Sequence, residues 1–302
     1  MIGPLETIRD TVNSWECDEN DHINIKAYAW RFDRAVRTFL VEAGWQVPHR
    51  LGRIIRYHAE LRGGEPVHAT TGMVALTDGR IALEHRLYAS QRMSTQDGFG
   101  VLTATSLDVL PDVSREDLSA FDVPPPSDHV LPKSGDLALS GAPTAEALET
   151  LTATYRSVIG PDAFGPAAES ADGPMLTDQY LVGMISDSAT HAWALAGADD
   201  AWLRSKNWGR AAVELKLTYG LRPSAGDVVT IMTGMRARSS KTVSFRHHVI
   251  NTMTDTVIAI ADITSLMLNL ETRRAMVWPD DKLAHLDSQI EAFKAATVSE
   301  TS

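Results

Sequence analysis

Polar side chains that could perform chemistry are concentrated in one short stretch near the start of the chain. Asp18, Asn20, His22 and Asn24 occur at alternate positions, and Tyr28 follows four residues after Asn24. A carboxylate beside a histidine can activate water or attack an electrophilic carbon, and amides can orient the reacting groups. This stretch is the first candidate for a catalytic segment.

The residues on either side of this stretch predict a turn from a strand into a helix. The segment 8–17 is rich in β-formers and predicts a strand. From about Asn24 to Ala43 apolar residues recur at helical spacing, and Gly44 predicts the end of the helix. The N–H groups at the start of this helix, near Asn24 and Ile25, could stabilise a developing oxyanion.

The whole pattern, Asp-x-Asn-x-His-apolar-Asn-x-x-x-Tyr followed by an amphipathic helix, resembles the active-site segment of hotdog-fold thioesterases. The similarity is to acyl-ACP and acyl-CoA thioesterases of the 4-hydroxybenzoyl-CoA thioesterase superfamily. One departure is Asp21, where many relatives carry glycine or glutamine. The resemblance implies a thioester hydrolase that needs no metal and no organic cofactor.

The resemblance also implies roles for individual residues. Asp18 would act either as a general base on water or as a direct nucleophile, and the sequence does not choose between these roles. Asn20 and His22 would orient the water and the thioester, and Asn24 would brace the turn. The residues expected to contact the substrate at the start of the helix are Ile25 and Tyr28.

A purely structural explanation of the stretch is a polar helix start, in which Asp18 or Asn20 caps the helix and His22 is exposed. That explanation accounts for one or two of the polar residues but not for four. Cys17 could be considered as a nucleophile, but neighbouring strand side chains point to opposite faces, so we expect a buried and inert thiol.

Composition narrows the class of protein. The chain has 302 residues, of which 44% are hydrophobic and 22% charged, and a net charge of −11. This charge argues against a general nucleic-acid or anionic-membrane surface. One cysteine and no long apolar run predict a cytoplasmic protein that does not span a membrane. The sequence contains no Gly-x-Ser-x-Gly elbow, no His-Glu-x-x-His zinc motif and no phosphate-binding glycine loop.

Short matches between the two halves of the chain predict an internal duplication. Four pairs of segments match in the same order along the chain. They are Gly52–Arg53 with Gly209–Arg210, Thr71–Met73 with Thr233–Met235, His85 with His247, and Thr105–Leu107 with Thr264–Leu266. A second amphipathic helix is expected over 178–197, where it would correspond to the first helix.

We therefore predict an α+β fold of the tandem, or double, hotdog type. Each unit would be an antiparallel sheet wrapped around a long central helix, and the two units would form a pseudo-dimer. The expected boundaries are 1–130 for the unit with the catalytic motif, 131–148 for a surface linker, 149–285 for a degenerate second unit, and 286–302 for a helical or disordered tail.

The second half lacks the polar cluster, because Met175 stands opposite His22 and Thr177 opposite Asn24. One working site per chain is therefore expected, with the second unit as its opposite wall. The second half instead has a basic hairpin that could bind the phosphates of coenzyme A, although a solvated hairpin is an equal alternative. Its cationic residues are Arg236, Arg238 and Lys241.

The predicted reaction is hydrolysis of an acyl-CoA, or secondarily an acyl-ACP, to the free acid. Betainyl-CoA is one conceivable substrate, since some relatives with this motif act on it. A hydratase or dehydratase for acyl thioesters on the same fold, and a non-catalytic acyl-thioester-binding protein, remain alternatives. Two chains could further associate as a homodimer.

Overall fold

The computed structural model describes residues 1–19, 21–45, 50–92, 100–111, 113, 118–134, 136–141, 143, 148–165 and 176–297, with side chains up to residue 295. The chain divides into two compact units. The first unit comprises Met1–Leu139 with Asp162–Gly183, and the second comprises Ser140–Pro161 with Met184–Ser302.

The described residues of the first unit include five strands and one long helix. Its elements are β1 (Leu5–Thr11), α1 (Ile25–Glu42), β2 (Gly52–Tyr57), β3 (Pro66–Ala75), β4 (Ile81–Ala89) and β5 (Val101–Val109). The strands lie in the order β1-β3-β4-β5-β2, and every neighbouring pair is antiparallel. The large side chains of α1 that face inward, such as Phe32 and Phe39, are completely buried. Burial of this apolar face holds the helix on the sheet.

The predicted helix is confirmed, but the predicted strand before it is wrong at its end. Helix α1 starts after Asn24 and is followed by Gly44, whose φ of 73° ends it. Strand β1 stops at Thr11, and Ser14–Glu16 forms a 3-10 turn. The reason is a capping box, in which the Glu16 carboxylate accepts the Asn13 N–H at 2.7 Å.

The described residues of the second unit include five strands and three helices. Its elements are β6 (Thr152–Val158), α2 (Asp178–Leu195, whose first turn groups with the first unit), α3 (Asp200–Ser205), β7 (Trp208–Tyr219), β8 (Val228–Arg238), β9 (Thr242–Asn251), β10 (Thr256–Asn269) and α4 (Asp280–Thr297). The strand order is β6-β8-β9-β10-β7. Numbered from the start of each unit, this order is the same as that of the first unit. No helix among the described residues is long and apolar enough to span a membrane.

Two of the matched segments occupy equivalent positions in the two sheets. Thr71 pairs with His85 across β3 and β4, and Thr233 pairs with His247 across β8 and β9. In both pairs the threonine hydroxyl bonds the histidine Nδ1, at 2.8 Å and 2.7 Å respectively. In each unit a further threonine bonds the first one, at 2.8 Å and 2.7 Å, and these threonines are Thr7 and Thr154.

The other two matches are wrong in register. His85 lies opposite Ser106, whereas His247 lies opposite Ala261, so Ser265 is not the equivalent of Ser106. In the same register Gly52 and Arg53 correspond to Glu214 and Leu215, so Gly209–Arg210 is not their equivalent. Short strand segments of similar composition can match by chance, whereas the hydrogen-bonded register admits one alignment.

The segment that leads into the predicted linker 131–148 is packed onto the first unit. Phe121 and Val130, which precede the linker, are buried in apolar clusters of that unit. The Arg56 guanidinium donates to three carbonyls of this segment, those of Asp128, His129 and Leu131. Part of the linker, and the tail from 298 onward, lie outside the described residues.

Candidate active site

The predicted catalytic stretch forms a tight turn between the end of the 3-10 turn and the start of α1. Cys17 and Ile23 form an antiparallel bridge, and inside it the Asp18 N–H donates to the His22 carbonyl at 2.7 Å. Asp21 closes the turn with a φ of 60°, a left-handed conformation that favours glycine. Aspartate is one of the non-glycine residues that tolerate this conformation.

The turn brings a histidine against a carboxylate that the sequence did not indicate. The His22 Nε2 lies 3.1 Å from the Glu60 Oε2, and the histidine side chain is 10% exposed against 39% for the glutamate. The Ile23 N–H donates to the Leu61 carbonyl at 3.0 Å, which holds this part of the turn beside residues 60–61. The pair therefore combines a buried imidazole with a carboxylate that reaches solvent.

Asp18 is half-buried, and its Oδ1 accepts the His22 N–H at 3.4 Å. Asn20 is the one predicted catalytic residue that lies outside the described residues.

Asn24 is the helix cap, so the explanation in which Asp18 or Asn20 caps the helix and His22 is exposed is wrong. The Asn24 Oδ1 accepts the Lys26 N–H at 3.0 Å, and the Asn24 N–H donates to the Glu16 carbonyl at 2.8 Å. The Asn24 N–H is therefore occupied and does not fit the predicted role of binding an oxyanion. Among the described residues no acceptor binds the Ile25 N–H, which leaves this group for a ligand.

Tyr28 lies in the first turns of α1 and is buried. Its ring meets that of Tyr57 edge to face, with the ring centroids 5.1 Å apart, and burial raises the pKa of both phenols. The Tyr57 hydroxyl is itself buried and has no hydrogen-bond partner in the described part of the chain. Both phenols are therefore neutral and could only donate or accept hydrogen bonds.

Cys17 differs from its prediction because it is half-buried instead of buried. Burial and the nearby carboxylates raise the pKa of its thiol. A raised pKa disfavours the thiolate, so the residue is a poor nucleophile.

A second polar group in the first unit, here called the charged cluster, was not predicted. Its members are Asp33, Arg50, Arg53, Asp108 and Asp178. The Arg53 guanidinium binds Asp108 at 2.6 Å, and both Asp33 and Asp178 at 2.8 Å. Arg50 lies 3.0 Å from Asp108 and 3.2 Å from Asp33 and Asp178. Arg53 and Asp108 are completely inaccessible to water, so these charges compensate one another.

The electrostatics of the charged cluster separate its carboxylates. Burial opposes ionisation of Asp108, but Arg53 and Arg50 hold its pKa well below the usual range. Burial and then the Asp178 carboxylate raise the pKa of Asp33. The Asp33 Oδ2 also accepts two backbone N–H groups at the start of α2, at 2.9 Å and 3.3 Å. The Asp33 carboxylate therefore acts as the hydrogen-bond acceptor at the N-terminus of α2.

The charged cluster has no counterpart in the second unit. Arg53 and Asp108 face each other across β2 and β5, and the equivalent positions of β7 and β10 are Leu215 and Ile263. The sheet can therefore be built with an apolar pair at this position. A charged residue between two apolar residues of a strand, such as Asp108 between Leu107 and Val109, was the available sequence signal.

The predicted phosphate-binding cations all lie in the second unit, and two of them already bind carboxylates. The Arg236 Nη1 is 3.2 Å from Asp262, and Arg238 makes two bonds of 2.6 Å to Asp287 of α4. Lys241 is exposed at the hairpin turn. Their role in phosphate binding remains a prediction. Within the described ranges no group of three or more His, Cys, Asp and Glu residues could hold a metal ion.

Comparison with known proteins gives the family. A family model described as the thioesterase-like superfamily matches residues 12–133 and 172–286. A comparison with curated proteins finds no match.

Solved structures share the fold at low sequence identity. An acyl-ACP thioesterase from Bacteroides thetaiotaomicron is 8% identical with a TM-score of 0.53, over 87% of this chain and 97% of that one. The 12:0-ACP thioesterase from Umbellularia californica is 11% identical with a TM-score of 0.52, over 87% of this chain and 93% of that one. At these identities the likeness shows a hotdog-type thioesterase fold alone. With the family model matching most of the chain, this protein belongs to the thioesterase-like superfamily.

Proposed function

We propose that the chain hydrolyses an acyl-CoA thioester to the free acid and coenzyme A, with acyl-ACP as the second candidate substrate. The observation that carries this proposal is the turn 18–24, which sets the His22–Glu60 pair beside a helix start with an unbound N–H. Membership of a thioesterase superfamily supports thioester hydrolysis in general.

In the proposed reaction a carboxylate takes a proton from water as the water oxygen attacks the thioester carbon. The carbonyl oxygen becomes an oxyanion, which the Ile25 N–H can stabilise. The carbon–sulfur bond then breaks, the acid is released, and the thiolate leaves with the electron pair and takes up a proton. Because a thiolate is a good leaving group, this mechanism does not require a strong general acid.

Two carboxylates could serve as the base, and the geometry gives them different surroundings. Glu60 reaches solvent and pairs with His22, whose imidazole would hold it in place and orient the water. Asp18 lies at the beginning of the turn and could instead attack the thioester directly. Asn20 remains a proposed orienting residue, and Tyr28 a proposed contact of the acyl group.

We also propose that the fold is a tandem duplication of a hotdog unit, with the boundaries 1–130 and 149–285 given above. Three features support it. The strand order is the same in both units, the Thr71–His85 contact recurs as Thr233–His247, and the Cys17–Ile23 bridge recurs as Phe164–Leu176. One working site per chain is part of this proposal, since Thr177 stands where Asn24 stands in the first unit.

The test is thiol release from short, medium, aromatic and betainyl CoA esters, and then from acyl-ACP, with Asp18→Asn beside the wild type. Turnover of at least one ester is expected, with a loss of about 10²-fold or more in the variant if Asp18 is the base or nucleophile. Hydration of an enoyl-CoA without thiol release would favour the hydratase alternative. Saturable binding without any turnover would favour the binding protein.

A further inference from the structure

Arg31 is a completely buried arginine on α1 that lies directly behind the candidate catalytic turn. Its guanidinium binds both carboxylate oxygens of Glu16, at 2.8 Å and 3.0 Å, and lies 3.5 Å from Asp10. It also donates to the carbonyls of Ala27 at 3.1 Å and Thr11 at 3.3 Å. The Arg31 guanidinium therefore bonds the end of β1, the 3-10 turn and the first turn of α1 at the same time.

Glu16 extends these connections to Asn13, before the 3-10 turn, and to Asn24, at the end of the catalytic turn. Its carboxylate accepts the Asn13 N–H at 2.7 Å, and its backbone carbonyl accepts the N–H of the helix cap Asn24 at 2.8 Å. Burial opposes ionisation of Glu16, but the hydrogen bonds from Arg31 and Asn13 lower its pKa overall. Glu16 is therefore ionised at ordinary pH, and it bonds Asn13, before the 3-10 turn, and Asn24, at the end of the catalytic turn.

The second half of the chain builds the same backbone arrangement with uncharged residues in place of Arg31 and Glu16. There the 3-10 turn is Pro161–Ala163, and the Ala163 carbonyl accepts the Thr177 N–H at 2.9 Å, as the Glu16 carbonyl accepts that of Asn24. Helices α1 and α2 are both 18 residues long, and the buried Met184 occupies the place of Arg31. The fold itself therefore does not require the Arg31–Glu16 pair.

We propose that Arg31 and Glu16 are positioning residues for the thioesterase reaction. They hold the turn 18–24 so that Asp18, His22 and the Ile25 N–H keep their relative geometry, although Arg31 is buried and cannot itself touch the substrate. This inference rests on the proposed function. Small displacements of reacting groups cost large factors in rate, since about 1 Å can cost about 10²-fold.

The second unit provides the substitutions for the test. Arg31→Met, Glu16→Ala and the double variant introduce the residues that the second unit has at these positions. We expect the double variant to fold, because it leaves no buried charge unpaired and also removes the Arg31 Nε, which has no partner within the described residues. Its kcat should fall by roughly ten- to a hundredfold, with KM changed by less than about threefold.

Met184→Leu is the matched control, because it changes the equivalent buried position of the second unit and should leave kcat unchanged. Arg31→Lys together with intact Glu16 should restore part of the activity lost in Arg31→Met, since the ion pair is retained. A folded double variant with the wild-type kcat, or with a change in KM alone, would overturn the proposal. Should the double variant not fold, Glu16→Gln takes its place with the same expected loss of kcat.

Hydrogen exchange separates failure of this inference from failure of the proposed function. The amides of residues 18–24 should exchange faster in the double variant than in the wild type, whether or not any ester is hydrolysed. Unchanged exchange would contradict the positioning role. If the wild type released no thiol from any ester while this exchange increased, the proposed function would fail but the structural role of the pair would stand.

Discussion

The His22 imidazole lies against the Glu60 carboxylate, with 3.1 Å between Nε2 and Oε2, although the two residues belong to different segments of the chain. The contact is possible because residues 22–23 run beside residues 60–61, where the Ile23 N–H donates to the Leu61 carbonyl. A buried histidine thereby gains a carboxylate partner at the solvent-facing side of the candidate site.

If Glu60 is the base, Glu60→Gln should lower kcat by about 10²-fold, because the substitution removes the group that takes the proton from water. In that case Asp18→Asn should lower kcat less than Glu60→Gln. Steady-state thiol release from both variants checks this. Glu42→Gln, on an exposed glutamate at the end of α1, is the control and should keep full activity.

Replacing Asp21 should reveal the backbone strain of the turn. Asp21→Ala should destabilise the protein by about 1 kcal/mol, because alanine adopts a positive φ less readily than aspartate. Asp21→Gly should be neutral or stabilising by up to about 1 kcal/mol, since glycine has no such penalty. Urea unfolding of both variants measures this contrast. If Asp21→Gly were less stable than Asp21→Ala, the positive φ assigned to Asp21 would be contradicted.

Removing one charge of the charged cluster should lower the free energy of unfolding more than removing two opposite charges that pair with each other. Asp108→Ala should cost about 3–5 kcal/mol, because Arg53 would remain buried without its main partner. Arg53→Leu with Asp108→Ile introduces the apolar pair of the second unit and should cost less than the single change. Denaturant unfolding of the two single variants and the double variant gives the coupling free energy. Simple addition of the two single effects would show that the pair acts independently.

The free energy of unfolding should decrease as the pH falls, because buried histidines bind protons less readily in the folded state than in the unfolded state. Burial lowers the pKa of His247 to about 4, and an unfolded chain has a histidine pKa of about 6.5. The unfolded state therefore binds the proton first, so stability is fully present above about pH 6.5 and is lost as the pH falls through about 4. The full loss from this residue is roughly 3 kcal/mol.

The measurement for His247 is the free energy of unfolding from pH 7 to pH 4. In His247→Gln the slope with pH should become shallower, whereas His191→Gln, on an exposed histidine of α2, should keep the wild-type slope. Parallel slopes for His247→Gln and the wild type would contradict the assignment.

The sequence by itself determined the elements whose signal is local. The apolar spacing of α1, the glycine that ends it, and the polar turn before it follow from side-chain periodicity and backbone preference, so they could be predicted without any partner. The role of Asn24 as a brace of the turn was implied by the family resemblance. Periodicity also indicated α2, and the paired Thr71 and Thr233 indicated the relation between the two units.

Only the tertiary structure decided which distant residues meet. Glu60 follows a strand as an ordinary polar residue, and nothing nearby in the chain links it to His22. The same holds for Arg31 and Glu16, and for Asp33 and Asp108 in the charged cluster. The register of β10, which overturned the match of Thr264–Leu266, was likewise fixed by hydrogen bonds across strands. Contacts of this kind depend on how strands and helices pack, and that packing is a property of the whole chain and not of a local window.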